Sequence, residues 1–472
     1  MNGDAIDLVI IGAGLAGLTA ANRAAAGGLS VLVLEAGEDA DYLCNSRISM
    51  GFINVAMRNI SEGPQVMRAA IEATTRGHAE PELAEALTQN AQSALAWLRG
   101  EGVRTIHGNW RPGSNSMLAP PAGIGAGLRW RGRGPDQMMR TLTAHCLQRG
   151  GRIQRSARAH ELIMRDGVCC GVAVEINGER KDIAARNVLI CDGGFQGNPD
   201  LLRKYVTPRP DRVLTRNAGT GRGDGLTMAL NAGAAIASMG GFYGHVQSVD
   251  ALHNPKLWPY PTVDMPISAG MVVNARGLRF TDEGYGGVYV ANAIAKLDDP
   301  LDAFAVYDHV AWMERATEFP RPANPLLVSA GATIFVADDI AALAARAVID
   351  AMGLAQTIAG FNTAIAAGQG AGLLPARSTI FWKPIPVAKP PFYAAPLVAG
   401  VTYTTGGIAI DRFTRVKSTS GGLIAGLYAA GSCTGGHEGG PYSGYTGGLG
   451  KALTFGFIAG NYIARSNSAA AA

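Results

Sequence analysis

The residues whose types and spacing best fit a chemical role lie close to the start of this chain. Gly12, Gly14 and Gly17 form a G-x-G-x-x-G pattern directly after the apolar segment 8–11. In this pattern the first glycine makes a tight turn, the second lets the backbone approach a pyrophosphate, and the third lets a helix pack closely against a strand. The free N–H groups at the start of that helix would then face the phosphates of a bound nucleotide.

An acidic residue at the end of the next apolar segment completes the pattern. Glu35 follows the apolar residues 31–34, where its carboxylate can accept hydrogen bonds from both hydroxyls of an adenosine ribose. Because a strand, a helix, a second strand and an acid follow one another in this order, the sequence predicts a bound adenine dinucleotide. The alternative is a glycine-rich turn between two strands that holds no ligand.

The elements that must position this motif belong to a long chain. With 472 residues the protein is too long for one ordinary core, so we expect at least two domains. Prolines, tryptophans and an alanine-rich helical stretch distinguish residues 240–385 from the rest. We therefore predict an α/β fold (α+β overall), in which a Rossmann-like domain, residues 1–239 and 386–466, is interrupted by a second domain, residues 240–385.

Charge, cysteine content and hydropathy argue against several classes of protein. The net charge is only +4 and no run of lysines and arginines could follow a nucleic-acid backbone, so we expect no nucleic-acid partner. The six cysteines form no C-x-x-C pair and no cluster with histidines, so we expect no metal, and reduced thiols typical of a cytoplasmic protein. The apolar run 8–21 is broken by glycines and is too short for a transmembrane segment.

Further along the chain, short segments occur in an order that is specific as a set. They are NSRISMGFINVA at 45–56, VLICDGGF at 188–195, TGRGDGLTMALNAGA at 220–234, MVVNARGLRFTDE at 271–283, YTTGGIAID at 403–411 and GGLGKALTFGFIAG at 447–460. With the glycine motif, this set resembles the soluble FAD-dependent flavoproteins of the fumarate reductase and succinate dehydrogenase family. The active-site segments are most similar to those of 3-ketosteroid dehydrogenases and tricarballylate-dehydrogenase-like members.

The resemblance implies FAD held by the Rossmann-like domain and an inserted α+β capping domain over the substrate. The FAD would be non-covalent, because Asn45 lies near the position where covalent members have a histidine. In this family a hydride passes between the flavin and one carbon of a CH–CH unit, and a proton moves at the adjacent carbon. The implied FAD positions are Gly12, Ala13, Gly14, Leu15, Ala16, Gly17, Glu35, Ala36, Asn45, Ser46, Ser49, Met50, Gly51, Ala159, Asp192, Gly193, Asp224, Gly431, Ser432, Gly448 and Leu449.

The departures from the family pattern concern mainly the substrate. Fumarate reductases place a proton-donating arginine four residues after the glutamate of R-F-x-x-E, and here that position is Gly287. Their histidine before T-x-G-G is Tyr403, their second arginine is absent from PYSGYTGG at 441–448, and their Thr-Glu pair is absent from PTVDMPIS at 261–268. Because a guanidinium is the natural partner of a carboxylate, fumarate and succinate are unexpected substrates.

Five residues are catalytic candidates. Tyr442 matches the tyrosine with which ketosteroid dehydrogenases bind the substrate ketone, while Tyr285 and Tyr289 flank Gly287 and could supply a hydroxyl. Tyr403 and His245 lie at substrate-binding positions of the reductases, and structural packing is the alternative for each candidate. Outside this group, we expect residues 437–438, a histidine and a glutamate, to belong to a solvated loop.

These observations predict an FAD-dependent dehydrogenase or reductase that acts on a CH–CH bond α,β to a carbonyl. Desaturation of a ketone, or its reverse, is the favoured reaction. The alternative is a tricarballylate-like acid dehydrogenase or a fumarate-reductase-type enoate reductase. A subunit of a membrane respiratory complex and a flavin-free scaffold fit the sequence less well. The substrate would be a small carbonyl or carboxylate compound, and the electron acceptor and the replacement for the proton donor at Gly287 stay open.

Overall fold

The structure, a computed structural model, describes residues 6–108, 112–121, 123, 125–318 and 322–471. Its strands are β1 (Ile6–Ile11), β2 (Val31–Leu34), β3 (Thr105–Ile106), β4 (Met117–Leu118), β5 (Arg152–Gln154), β6 (Ala157–Arg165), β7 (Val168–Ile176), β8 (Glu179–Ile190), β9 (Leu214–Thr215), β10 (Ile236–Ala237), β11 (Phe242–Ser248), β12 (Met271–Val273), β13 (Phe304–Tyr307), β14 (Phe335–Ala337), β15 (Phe392–Thr404), β16 (Gly407–Ile408), β17 (Arg415–Lys417) and β18 (Leu423–Ala429). Its α-helices are α1 (Leu15–Ala26), α2 (Asn45–Ile48), α3 (Pro64–Thr75), α4 (Pro81–Gly100), α5 (Gly134–Gln148), α6 (Pro199–Tyr205), α7 (Asp224–Asn231), α8 (Asp264–Ala269), α9 (Gly287–Ala295), α10 (His309–Glu314), α11 (Ala323–Ala330), α12 (Ile340–Ala347), α13 (Ala351–Ala366) and α14 (Gly448–Ala471). Among the helices of these described ranges, none is long and apolar enough to cross a membrane.

The first sheet carries the glycine motif. Its strands lie in the order β17-β18-β8-β1-β2-β5, and β1 is parallel to both β2 and β8. The predicted β-α-β unit is confirmed, because β1, α1 and β2 follow one another and Val9 lies beside Leu32. Residues 8–11 of β1 and all of β2 are continuous apolar segments, as expected for parallel strands that are buried on both faces.

Helix α14 packs directly on α1. A Cβ atom on Gly456 would lie 2.4 Å from the carbonyl oxygen of Ala16, and one on Gly460 would lie 2.6 Å from that of Ala20. The contacts advance in the same direction on both helices, so the two helices run parallel. At about 1.5 Å of rise per residue, the start of α14 projects about 10 Å past the start of α1.

The second sheet brings together strands from distant parts of the chain. β11, β15, β13 and β12 lie side by side in that order, and both β9 and β14 pair with β15. β11 and β15 are antiparallel, with Tyr243 opposite Tyr403 and His245 opposite Gly400. The mixed α/β architecture is as predicted. The domain bounds at 240 and 385 stay a prediction. Two strands of this sheet, β9 and β15, lie outside residues 240–385.

Gly17 is a point in the glycine motif with no room for a side chain. A Cβ atom at this position would lie 2.0 Å from the carbonyl oxygen of Gly12, which real Cβ contacts do not reach. We predict that Gly17→Ala lowers the free energy of unfolding by about 1–3 kcal/mol or more, the usual cost of overpacking. Urea unfolding of the purified protein measures this change.

Gly360 in α13 is the matched control. Nothing lies within 4 Å of the Cβ position of Gly360, so we expect Gly360→Ala to raise the free energy of unfolding by up to about 1 kcal/mol through helix propensity. Equal effects of the two substitutions would contradict the close contact between α1 and β1.

Candidate active site

The glycine motif forms an open cradle at the start of α1. Gly12 has a φ of +96°, and the Cβ atom that Gly14 lacks would meet only Ser46 Oγ, at 3.7 Å. Gly14 is the N-cap of α1 and provides no side chain to the first turn, where the Leu15 N–H donates to Ser46 Oγ at 3.1 Å. The open side of this helix start fits an anionic group such as a pyrophosphate.

Glu35 lies beside this cradle and is held by its backbone. The Glu35 carboxylate accepts hydrogen bonds from the N–H groups of Ala13, at 2.9 Å, and Gly37, at 2.8 Å. Burial raises the pKa of Glu35, and these backbone donors oppose the shift. An ionised carboxylate has about four lone-pair sites, so Glu35 can still accept hydrogen bonds from ribose hydroxyls. The geometry therefore fits the adenosine half of FAD.

Asp192 and Asp224 lie behind the cradle. Asp192 Oδ2 accepts a hydrogen bond from the Gly225 N–H at 2.7 Å, whereas Asp192 Oδ1 is buried without a hydrogen-bond partner in the described part of the chain. Asp224 pairs with Arg158 at 2.7 Å, on the strand β6 that also carries Ala159. Burial raises the pKa of Asp192 to about 7, although the Gly225 N–H opposes the shift.

A cavity of about 330 Å³ is lined by residues of α2, β11, α8 and β15 and by the start of α14. The lining residues that are predicted to contact the flavin are Asn45, Ser46, Ser49, Met50, Gly51, Ser432, Gly448 and Leu449. The lining residues that face them from other segments include Arg216, Tyr243, His245, Tyr260, Asp264, Tyr403 and Tyr445. The structure thus brings two catalytic candidates, Tyr403 and His245, together with the predicted flavin positions.

His245 belongs to a hydrogen-bonded chain of three side chains. His245 Nδ1 is hydrogen-bonded to Asp264 Oδ2, and His245 Nε2 lies 3.0 Å from the hydroxyl of Tyr243. The other oxygen of Asp264 accepts the Val246 N–H at 2.9 Å. Because Asp264 accepts a hydrogen bond from the Nδ1–H group, Nε2 is the nitrogen that can exchange a proton with Tyr243.

The Asp264 carboxylate fills the space next to Gly287. A Cβ atom on Gly287 would lie 2.1 Å from Asp264 Cγ and from Asp264 Oδ1. The position that lacks the family's proton donor is therefore occupied by an acid from another helix, since Asp264 begins α8 and Gly287 begins α9. Our sequence analysis missed Asp264. The available signal was an acid within 261–268, the segment from which the Thr-Glu pair is absent.

Tyr403 rests on a buried ion pair. The Tyr403 hydroxyl donates to Glu438 Oε2 at 3.3 Å, and Glu438 Oε1 pairs with Lys451 Nζ of α14. Glu438 and Lys451 are both 0% exposed and His437 is 2% exposed. The prediction of a solvated loop at residues 437–438 is therefore wrong. The cause is Lys451, whose charge stabilises Glu438 in the interior, while burial and Lys451 lower the pKa of His437.

Three of the tyrosines that line the cavity, Tyr243, Tyr403 and Tyr445, are protonated hydrogen-bonding groups. Burial raises the pKa of Tyr243, Tyr403 and Tyr445 above the usual value of about 10. The rings of Tyr243 and Tyr445 stack with centroids 4.3 Å apart, and the Tyr445 hydroxyl accepts the Gly448 N–H at 3.1 Å. These environments disfavour a tyrosinate base at any of the three positions.

Tyr285, Tyr289 and Tyr442 form a separate cluster. The ring centroid of Tyr285 lies 4.9 Å from the ring centroid of Tyr289 and 4.9 Å from that of Tyr442. The Arg76 guanidinium lies 4.0 Å from the Tyr442 ring centroid. None of the three is among the described residues that line the cavity. Burial raises the pKa of Tyr285 and of Tyr289. The catalytic role of these tyrosines stays a prediction.

The chain was compared with protein families and with curated proteins. A family model described as FAD binding domain matches residues 7–449. The NADH:acrylate oxidoreductase of Vibrio harveyi is 28% identical over 80% of this chain, which spans only 36% of that protein. The vinyl phenol reductase of Lactiplantibacillus plantarum is 24% identical over 93% of this chain and 92% of its own length. The 4-oxocyclohexanecarboxylate 2-dehydrogenase of Sinomonas cyclohexanicum is 26% identical over 97% of this chain and 92% of its own length.

Solved structures show the same fold. The 3-ketosteroid Δ1-dehydrogenase of Sterolibacterium denitrificans superposes with a TM-score of 0.74 at 20% identity, covering 98% of this chain and 100% of its own. An open form of a flavocytochrome c3 fumarate reductase has a TM-score of 0.69 at 20% identity. The superposition covers 98% of this chain and 78% of the reductase chain. At this identity the likeness concerns the fold alone.

The cradle, the acid beside it and the cavity are the features of a flavoprotein that binds an adenine dinucleotide. The match over residues 7–449 shows that the chain belongs to the FAD-binding-domain family, and FAD is its cofactor. The relatives are dehydrogenases and reductases. This confirms the predicted class, an FAD-dependent oxidoreductase acting on CH–CH bonds.

The buried Asp192 predicts a pH dependence of stability. A carboxyl whose pKa is about 4 in the unfolded chain and about 7 in the folded protein holds its proton more tightly when folded. The free energy of unfolding therefore falls as the pH rises between these values, by roughly 4 kcal/mol at most. Asp192→Asn removes this group, so we predict that the variant gains stability relative to the native protein from about pH 4 to about pH 7.

Thermal unfolding of both proteins across this pH range, with excess FAD, measures the difference. Asp338→Asn changes an exposed aspartate and serves as the control without such a trend. A difference between native protein and Asp192→Asn that stays constant with pH would contradict the raised pKa.

Proposed function

We propose that this protein moves a hydride and a proton at a CH–CH unit α,β to a carbonyl group, and that His245 and Asp264 handle the proton. The observation that carries the proposal is the Asp264 carboxylate, which occupies the space of a side chain at position 287. Asp264 is hydrogen-bonded to His245, and both line the cavity together with the predicted flavin positions. An acid–base pair is therefore available where the family's proton donor is missing.

The residues of the cradle and of the cavity wall would hold FAD. Residues 12–17 would bind the pyrophosphate, Glu35 the adenosine ribose, and residues 45–51 with 448–449 the isoalloxazine. When bound, FAD supplies the group that accepts or donates the hydride. The N–H groups at the start of α14 would stabilise negative charge on the pyrimidine side.

The protein side chains move the proton in a short chain. Because burial raises the pKa of Tyr243, its hydroxyl stays protonated and can pass a proton between the substrate carbon and His245 Nε2. Asp264 fixes the orientation of the imidazole through Nδ1 and stabilises its protonated form. The same residues serve reduction and oxidation, since the two directions share one transition state. No tyrosinate is required.

The substrate is a small molecule with a carbonyl or carboxyl group. The 4-oxocyclohexanecarboxylate 2-dehydrogenase, by its name, acts on a compound that carries both groups, so it supports the ketone reaction and the carboxylic-acid alternative alike. The stacked rings of Tyr243 and Tyr445 favour a flat or cyclic substrate. We also propose a cytoplasmic location, which the six unpaired cysteines support.

Replacement of His245 tests the proposal. The reduced holoenzyme is mixed anaerobically with 2-cyclohexenone and with trans-cinnamate, and the return of the visible flavin absorbance gives the rate constant for the faster probe. We predict that His245→Gln lowers this rate constant by about 10²- to 10⁴-fold, the usual contribution of an acid–base group. Asp264→Asn should lower the rate constant too and change its pH dependence, because Asp264 acts through His245.

Two further variants control this experiment. His253→Gln replaces an exposed histidine and should keep the native rate constant. Tyr442→Phe tests the separate tyrosine cluster. A larger loss in Tyr442→Phe than in His245→Gln would overturn the assignment to His245, as would native rate constants in both His245→Gln and Asp264→Asn.

A further inference from the structure

Arg216 is a buried cation in the wall of the cavity. It follows β9 and is 5% exposed. Arg216 Nε donates to the Pro259 carbonyl at 3.1 Å, and Nη1 donates to Thr402 Oγ1 at 2.8 Å. Nη2 is buried and has no hydrogen-bond partner in the described part of the chain. Two of the three guanidinium nitrogens thus fix the side chain, and the third is left to bind something else.

An unpaired guanidinium in the protein interior is costly, because the charge loses its hydration without gaining a partner. The two other charged residues that line the cavity, Asp264 and Glu318, are already engaged. Asp264 accepts hydrogen bonds from His245, and Glu318 forms an ion pair with Arg315 at 2.7 Å. Arg216 therefore differs from its charged neighbours in having a free nitrogen. The natural partner for such a nitrogen is a carboxylate oxygen.

We infer that Arg216 binds the carboxylate of a flat, unsaturated or cyclic monocarboxylic acid, whose α,β carbon–carbon bond is the bond that reacts. The inference rests on the proposed function and names its substrate class. Arg216 and His245 line the same cavity, so one ligand can contact both. The carboxyl group is then the activating group, in place of the ketone that the resemblance favours.

The cavity walls indicate one carboxylate and a flat body. Among the described lining residues, Arg216 is the one with a permanent positive charge, while Asp264 and Glu318 are acids. A second carboxylate would find no cation and would be repelled by these acids. The Arg216 guanidinium lies 4.7 Å from the Tyr260 ring centroid, and the stacked rings of Tyr243 and Tyr445 line the same cavity. Such aromatic walls pack well against a conjugated or cyclic ligand.

With the carboxylate on Arg216, the hydride and the proton are transferred at adjacent carbons of the substrate. In the reductive direction the β-carbon gains a hydride and hence two electrons, and the π electrons of the double bond move toward the carboxylate. Arg216 stabilises the negative charge that develops there. The α-carbon then takes the proton of the Tyr243 hydroxyl, and in the same step the protonated Nε2 of His245 passes its proton to the Tyr243 oxygen, so that no tyrosinate forms. In the oxidative direction the α-carbon gives its proton to the Tyr243 oxygen while the Tyr243 proton passes to the neutral Nε2 of His245, and the β-carbon loses the hydride with its two electrons.

Binding of matched probes to the oxidised holoenzyme tests this inference. Perturbation of the visible flavin spectrum gives dissociation constants for trans-cinnamate, for cinnamamide, which has the same shape without the charge, and for fumarate. We expect the native protein to bind trans-cinnamate at least about 10-fold more tightly than cinnamamide or fumarate. Arg216→Gln should abolish this preference. Arg212→Gln, which changes a partly exposed arginine paired with Asp299, should retain it.

The acid-to-amide comparison on the native protein does not depend on the folding of any variant. Equal binding of trans-cinnamate and cinnamamide, tighter binding of fumarate, or an unchanged preference in a folded, FAD-loaded Arg216→Gln would overturn the inference. Reoxidation of the reduced holoenzyme separates the two proposals. If 2-cyclohexenone reoxidises it and trans-cinnamate binds no better than its amide, the carboxylate site fails and the proposed function stands. If trans-cinnamate binds through Arg216 and neither compound reoxidises the flavin, the carboxylate site stands and the proposed function fails.

Discussion

The hydrogen bond between Asp264 and His245 is the interaction on which the proposed chemistry depends. It joins α8 to β11, and the second oxygen of Asp264 binds the backbone of the same strand at Val246. The Asp264 carboxylate also lies where a side chain at 287 would be, so the two cannot coexist. The missing proton donor and the new acid are therefore two aspects of one packing constraint. The glycine at the start of α9 makes room for the acid at the start of α8.

Burial also distinguishes two kinds of charged residue around the cavity. Some are paired and have a structural role, and one has a free position for a ligand. Glu438 and Lys451 are fully buried but pair with each other, and Glu438 also accepts a hydrogen bond from the Tyr403 hydroxyl. Removal of either partner would leave an uncompensated charge, which costs several kcal/mol. Arg216 is buried to a similar degree but keeps one nitrogen without a partner. In a low-dielectric cavity, that difference makes Arg216 the site where an anionic substrate gains most.

Much of the fold and of the FAD-binding half followed from the sequence, because those features depend on local spacing. The glycine motif and Glu35 lie within one β-α-β unit, and a resemblance over the whole chain supplied the order of the remaining segments. The substrate half was harder, because the residues that meet there come from β9, β11, α8 and β15. The sequence located the gap at Gly287 but could not show that Asp264 fills it.

The burial of Glu438 and the placement of three tyrosines were not evident from the sequence for the same reason, because both depend on contacts made only in the folded chain. The glycine-rich sequence around Glu438 is typical of an exposed loop, and its burial depends on Lys451, a residue of α14 that only the folded chain brings into contact. Tyr285, Tyr289 and Tyr442 are adjacent to family active-site segments, yet they lie against Arg76 in a cluster apart from the cavity lining of the described residues. For these three tyrosines, unlike Tyr403 and His245, a position next to an active-site segment is not accompanied by a place in the cavity lining.

The most direct test of the account is the stereochemistry of proton delivery. The reduced holoenzyme reacts in D₂O with trans-cinnamate or 2-cyclohexenone, whichever reoxidises it, and the saturated product is analysed by NMR. If the Tyr243–His245–Asp264 chain delivers the proton, the deuterium at the α-carbon will lie on a single face of the product. No saturated product, or deuterium in equal amounts on both faces of the α-carbon, would contradict the account, since bulk water and not a positioned side chain would then supply the proton.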